Sequence, residues 1–276
     1  MAVMQTASRA GGAPLAHSGA AIILHSNKGH ILYLSKLPLV ASPTAAIKRL
    51  ASDGTEEGHA FLLDRVLGAS EFPRALCKQS KKPFIFSILL RPKIQPQKAS
   101  AITPLATVAL MRTLRALLPS YHLSVRWPCT IYNGKKPFAA ISLCSALHPS
   151  DGTFSYMALS FMVALSGGEA KNELARTLSE VFDGVSADLH VRLASRLAKE
   201  VYSLYESMER DRSFLDEYRL FSGDVGARVI LRNPRLKATV LNVDENGKLV
   251  LQKKDGSVIR IASADRIKKI LPLKRK

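Results

Sequence analysis

Arg126, Trp127 and Pro128, followed by Asn133, Gly134, Lys135 and Lys136, are the densest group of chemistry-bearing residues in the sequence. A cation at a strand end and a lysine pair just past a tight turn, beside a rigid Trp-Pro, could hold an anion such as a phosphate or a carboxylate. Apolar runs flank the group on both sides. Asn-Gly between two such runs signals a β-hairpin, because both residues tolerate the positive φ of a type I′ turn. On these residues alone the plainer description is a surface hairpin with solvated lysines and a core Trp.

The elements that must position this group can be read along the chain. Residues 1–28 are rich in Ala, Gly and Ser and read as a loose leader. Residues 31–34 read as a strand. Ser42 and Thr44 precede good helix formers over 45–51, where a capping hydroxyl satisfies first-turn amides. Residues 59–65 read as a strand, 66–82 as a loop without period, and 84–90 as a buried strand. Residues 105–118 have apolar residues at helical spacing, with Arg112 and Arg115 on one face.

The hairpin then runs on through residue 144. Residues 154–165 are almost continuously apolar, and the bounding glycines favour a strand. Helices are expected over 172–182 and 189–208, with 214–221 prolonging the helical region. Beyond Ser222-Gly223 the pattern changes to four short strands, 227–231, 237–243, 248–252 and 258–262, separated by Asn/Asp-rich turns. Such strands predict a small antiparallel barrel and a boundary near residue 221.

At 276 residues there is ample material for a core. The formal charge of +18 attracts polyanions and anionic ligands, and about half of the excess lies beyond residue 221. Cys77, Cys129 and Cys144 form neither a disulfide framework nor a zinc motif, which fits a reducing cytoplasm. The seven histidines show no ligand spacing. No stretch is long and apolar enough to span a bilayer, so no membrane association is expected.

With this order of motifs the chain resembles the biotin protein ligases, in their monofunctional form, from about residue 29 to residue 267. The resemblance rests on Glu57-Gly58, the strand ending in Asp64-Arg65, the run Phe86-Ser87-Ile88-Leu89-Leu90-Arg91-Pro92 and the Trp-Pro hairpin. It also rests on Leu215-Asp216-Glu217-Tyr218-Arg219 and the strand-turn-strand beginning at Asp244-Glu245-Asn246-Gly247. It implies an α+β fold, a mixed sheet flanked by helices over 29–221, followed by an SH3-like barrel with a basic tail over 222–276. It implies an enzyme that uses ATP and Mg2+ to adenylate biotin and then passes biotin to a lysine of a biotin carboxyl carrier domain. A homodimer is left open.

Carried over position by position, the resemblance assigns Lys136 and Arg74 as catalytic cations. Ser42, Thr44, Arg65, Arg126, Trp127 and Lys135 fall at ligand-binding positions. Whether Lys136 or Pro137 takes the place of the family's essential lysine depends on the alignment, and the two alignments weigh equally. Other positions depart from the family. Its adenylate loop, approximately G-R-G-R-R-G, is matched by Ala69-Ser70-Glu71-Phe72-Pro73-Arg74. Its Asn-Asp pair after Trp-Pro is Cys129-Thr130, and the Asn of its Gly-Ile-Gly-Ile-Asn strand is Met162. Charge-assisted contacts are worth roughly 1.5–3 kcal/mol each, so losing three costs several orders of magnitude in rate or affinity.

Two readings therefore lead: an impaired ligase, and a pseudoenzyme of the same fold that binds a carrier domain or another protein. Nucleic-acid binding through the basic C-terminal part ranks third, for want of interleaved aromatics or a recognised motif.

Overall fold

The computed structural model describes residues 22–25, 31–37, 39–63, 66–68, 70–79, 83–164, 189–232 and 234–271. Among them an eight-stranded mixed sheet has the order β1-β2-β3-β4-β8-β7-β6-β5. The strands are β1 Ile22–His25, β2 Ile31–Leu37, β3 His59–Leu63, β4 Phe84–Leu90, β5 Leu123–Arg126, β6 Thr130–Asn133, β7 Lys136–Leu147 and β8 Phe154–Val163. β2 and β3 run parallel, joined by helix α1, Pro43–Ser52; the other neighbours are antiparallel.

α1 begins as its sequence dictates. Ser42 is its N-cap, accepting the Ala45 N–H at 3.1 Å, and Pro43 occupies a first-turn position that needs no amide donor. Its far end is held by Arg91, whose guanidinium donates to the carbonyls of Ala51, Thr55 and Ser155.

One sheet face is covered by helices α3, Ile102–Leu117, and α4, Leu189–Ser207. β4 is buried along its whole length, and the Phe86 and Phe161 rings stack across β4 and β8 on this face. His190 in α4 meets Phe84 there in a T-shaped arrangement. A fifth helix, Ser213–Phe221 (α5), packs on α3. Here Arg112 is paired twice, to Glu217 at 2.6 Å and to Glu200 at 3.7 Å, and Arg115 lies over the Phe221 ring.

Five further strands form a second, antiparallel sheet: β9 Arg228–Leu231, β10 Lys237–Val243, β11 Leu249–Lys253, β12 Val258–Ile261 and β13 Ile267–Leu271, in the order β12-β11-β10-β9-β13. β13 is an addition to the four strands expected. Its short Ile-Lys-Lys-Ile-Leu run, with adjacent lysines, lacks the alternation of the other four.

The two sheets meet at the turn between β10 and β11. Gly247 sits there at φ 78°, and a Cβ on it would lie 2.8 Å from Pro104 Cγ. The Trp127 indole donates to the Gly247 carbonyl at 3.0 Å, Ser100 donates to Asn246 O, and Arg219 donates to Val243 O. The Trp127 amide donates to buried Asp224 at 2.7 Å, and Tyr218 donates to Pro128 O at 2.8 Å. The Trp127-Pro128 peptide is cis.

Two local expectations change, and a third falls partly outside the described residues. The loop expected over 66–82 contains helix α2, Arg74–Cys77, too short for a periodic signal. The β6–β7 turn is built on Gly134 and Lys135, because Asn133 pairs with Lys136. Only Gly134 has positive φ, at 57°, so the type I′ geometry, which needs two such residues, is absent. The strand expected over 59–65 is described as far as Leu63, and Asp64 and Arg65, like the helix expected over 172–182, lie outside the described residues.

Candidate functional site

The second face of the large sheet carries the candidate site. Directly opposed residues on paired strands share a face, and successive residues alternate. Ser87, Ser160 and Ser142 therefore stand in one row across β4, β8 and β7. Ser87 and Ser160 are buried and hydrogen-bonded to each other at 2.8 Å. Ala140, Ala158 and Cys144 share this face with the larger Ile85, Leu89 and Met162, so the floor mixes small and bulky side chains.

At one end of the floor stands the first turn of α1. The Thr44 side chain and Lys48 lie near the Cys144 thiol and both act to lower its pKa. The Thr44 amide donates to Glu71 Oε1 at 3.0 Å. A carboxylate is favoured at a helix N-terminus, where amides are unpaired and the dipole is positive. Glu71 thus supplies from within the chain the anion this helix start attracts. Phe72 and Leu76 beside it are 4% and 0% exposed, and α2 lies against β7. Burial raises the Cys144 thiol first of all, with the Glu71 carboxylate adding to the effect. Burial likewise raises Cys77, again aided by Glu71.

At the other end is the hairpin. Arg126, Thr130 and Tyr132 lie on the site's face, since Thr130 opposes both Arg126 and Ala140. The Arg126 guanidinium lies 4.1 Å over the Tyr132 ring; burial raises the pKa of Asp224, and the Trp127 amide and then Arg126 lower it in part. The decisive feature is a bulge: Ile131 opposes Ala139, but Tyr132 opposes Pro137, so Phe138 is an extra residue on β7. The face therefore inverts at Phe138. Pro137 lies on the same side as Tyr132 and Cys144, whereas Lys136, opposite Asn133, lies on the other side.

The expected site residues thus fall into separate groups. Ser42, Thr44 and the segment leading to Arg74 come together at the α1 end, with Arg74 itself exposed at the start of α2. Arg126 shares their face at the hairpin end. Trp127 is 5% exposed and spends its amide and indole N–H on the joint between the sheets. Lys135 and Lys136 are exposed at the hairpin tip, with Lys136 eight residues along β7 from Cys144, about 25 Å at ordinary strand rise. Sequence reasoning missed Glu71 as a partner of α1. Nothing local to the sequence signals it, because Glu71 lies in an aperiodic stretch 27 positions from Thr44.

Cys129 stands where a polar residue was expected and is inert. Its thiol donates to Ile141 O at 3.0 Å, and burial of the sulfur pushes its pKa up to about 12 from 9.0. The folded protein keeps this proton while an unfolded thiol loses it above about 9, so stability falls as pH rises from about 9 towards 12, by at most about 1.4 kcal/mol per pH unit. Urea unfolding at a series of pH values above 9 is expected to show a shallower decline for Cys129→Ala than for the unaltered protein. Parallel declines would contradict this.

No protein-family model matches the sequence, and no curated protein matches it. Solved structures do match. A biotin protein ligase-like protein of unknown function from a Silicibacter species is 18% identical, covers 87% of this chain and 96% of its own, and superposes with a TM-score of 0.64. The biotin protein ligase of Aquifex aeolicus in complex with biotin and ATP is 15% identical, covers 87% of this chain and 99% of its own, with a TM-score of 0.61. The biotin protein ligase of Leishmania major in complex with biotin gives 14% identity, coverage of 83% and 98%, and a TM-score of 0.53. The fold is that of the biotin protein ligases.

Within the biotin protein ligase fold, this chain departs from the family in the described part of the basic loop and at Met162. Among the described residues no group of three or more His, Cys, Asp or Glu side chains is placed to hold a metal ion. The described part of the segment matching the family's basic loop carries Glu71 and buried Phe72 on the site side, and Met162, in the place of a polar residue, is buried. Among the described residues no helix is long and apolar enough to cross a membrane.

Proposed function

We propose that this protein has the biotin protein ligase architecture but does not adenylate biotin, and that it acts as a protein-binding module whose partner is a domain of the biotin carboxyl carrier kind. The observation that carries the reading is the bulge at Phe138. Adenylate chemistry consists largely of positioned cations meeting charge as it develops on phosphorus. Of the two residues that could match the family's essential lysine, Pro137, with no charge to offer, is the one whose pairing puts it on the site's face, and Lys136 pairs on the other. Glu71 on the Thr44 amide and the burial of Phe72 support the same reading, since both oppose an anion at the α1 end.

The scaffold, by contrast, is kept. We read residues 29–221 as the ligase-like domain and 222–276 as an SH3-like barrel. Its turn between β10 and β11 is locked against Trp127 and Ser100. The three free cysteines support a reducing compartment such as the cytoplasm.

One observation favours the alternative, a weak ligase that adenylates biotin with ATP and passes it to a carrier lysine. Arg126 lies on the site's face, and Arg74, Lys135 and Lys136 are exposed and make no ion pair among the described residues. Calorimetric titration of the whole chain with biotin, then with ATP and Mg2+, separates the two. The binding-module reading expects no heat from either ligand and a saturable signal with a carrier domain. Micromolar biotin binding followed by ATP binding overturns it.

A further inference from the structure

The excess positive charge beyond residue 221 takes a definite shape in the second sheet. Val229 and Leu231 of β9 are buried, so Arg228, Ile230 and Arg232 face outward. Lys237 of β10 and Lys269 of β13 both stand directly opposite Ile230. Three neighbouring strands thus present Arg228, Arg232, Lys237 and Lys269 on one outer face, all exposed. Two more exposed arginines rim it: Arg235 in the β9–β10 turn, and Arg266, whose carbonyl accepts the Arg232 amide at 2.8 Å.

Residues 222–276 hold five acids, Asp224, Asp244, exposed Glu245, Asp255 and Asp265, against fourteen Lys and Arg, so the cations remain in excess. Asp224 and Asp244 are buried, and Asp244 pairs with Arg260. Asp255 and Asp265 are engaged with Ser257 and Ser263 in turns. Among the described residues none of the six cations makes an ion pair.

We propose that this outer face binds the phosphate backbone of double-stranded nucleic acid without regard to sequence. Strands are about 4.8 Å apart, so Lys237 and Lys269 stand about 10 Å from each other with Ile230 between them. That is a spread-out cationic surface suited to a row of phosphates, and unlike a pocket for one small anion. Arg is half or more of the set, and its fork meets phosphate oxygens in pairs. Residues 222–276 contain no Phe, Tyr or Trp. The face therefore has no platform on which unpaired bases could stack and no aromatic to anchor it in a lipid interface. The sequence alone hid the surface, because the cations are scattered along three strands and only the register gathers them.

The test is fluorescence anisotropy of the full chain with a short mixed-sequence duplex, the matching single strand, and phosphatidylserine–phosphatidylcholine vesicles. Four phosphate contacts give a log–log salt slope of about −3.6, so duplex affinity is expected to fall about 100-fold between about 50 and 200 mM salt. Arg232→Glu, Lys237→Glu and Lys269→Glu together are expected to weaken duplex binding at least about 10-fold. The same charge change on exposed α4 residues, Arg192→Glu, Arg196→Glu and Lys199→Glu, is expected to leave it within about twofold. If the sheet variant fails to fold, the milder Lys237→Gln, Lys269→Gln pair should reduce the slope by about 1.8. The proposal is overturned by absent duplex binding at low salt, by equal losses in sheet and helix variants, by an unchanged slope in the milder pair, or by vesicle binding without duplex binding.

Discussion

Trp127→Ala is expected to destabilise the protein by about 3–5 kcal/mol, the range for removing a large buried aromatic, and to lower its melting temperature by about 10 °C. The ring is 5% exposed and its indole N–H donates to the carbonyl of Gly247. Truncation opens a cavity at the meeting point of the two sheets and leaves that carbonyl without its donor. The neighbouring Gly247 cannot move in to fill the space, because its positive φ and its contact with Pro104 already fix the turn. Trp127→Phe keeps most of the packing and is expected to cost about half as much or less. Thermal and urea unfolding of the two variants checks both the size and the order. A Trp127→Ala protein that melts with the unaltered one would mean that the ring serves a ligand and not the joint.

The second large effect concerns the segment that matches the family's basic loop. Restoring arginines there is the obvious way to look for a decayed active site, but the two replacements are not equivalent. Ser70 is exposed, and Ser70→Arg is expected to change stability by no more than about 0.5 kcal/mol. Phe72 is 4% exposed beside Leu76, at 0%. Phe72→Arg removes an aromatic from the core and places an unpaired cation there, so it is expected to cost about 3–5 kcal/mol. The segment has been rebuilt as part of the core and is no longer a loop lacking two charges. A Phe72→Arg protein that unfolds at the same urea concentration as the unaltered one would show that the segment leaves the core freely.

Most of the described strands and long helices were legible because each carries a strong local pattern; β1, inside the expected leader, and β13 were not. Residues 84–90 are apolar except for Ser87 and form β4, buried on both faces, while Ser42 followed by Pro43 marks the start of α1. The site was less legible, for a physical reason. Its geometry depends on which face a residue takes, and a single bulged residue reverses that. Lys136 and Pro137 are adjacent, and nothing local to the sequence says that Phe138 is extra; the pairing of β6 with β7 decides it. Glu71 was similarly hidden. An acid inside an aperiodic stretch reads as solvated, and its partner, the Thr44 amide, is 27 positions away. Trp127 shows the converse. As the sole Trp, beside Pro in a cationic hairpin, it invited a ligand-binding role, while its partners Asp224 and Gly247 lie about a hundred positions further along the chain.

The central claim is that this architecture is retained without adenylate chemistry, and formation of biotinyl-adenylate tests it most directly. Purified protein at high concentration, incubated with labelled biotin, ATP, Mg2+ and a carrier domain, is expected to yield neither labelled adenylate nor labelled carrier. An active biotin protein ligase run in parallel supplies the positive signal. Adenylate formed in proportion to the amount of this protein, and lost in Arg126→Ala, would contradict the account and return the chain to the working ligases.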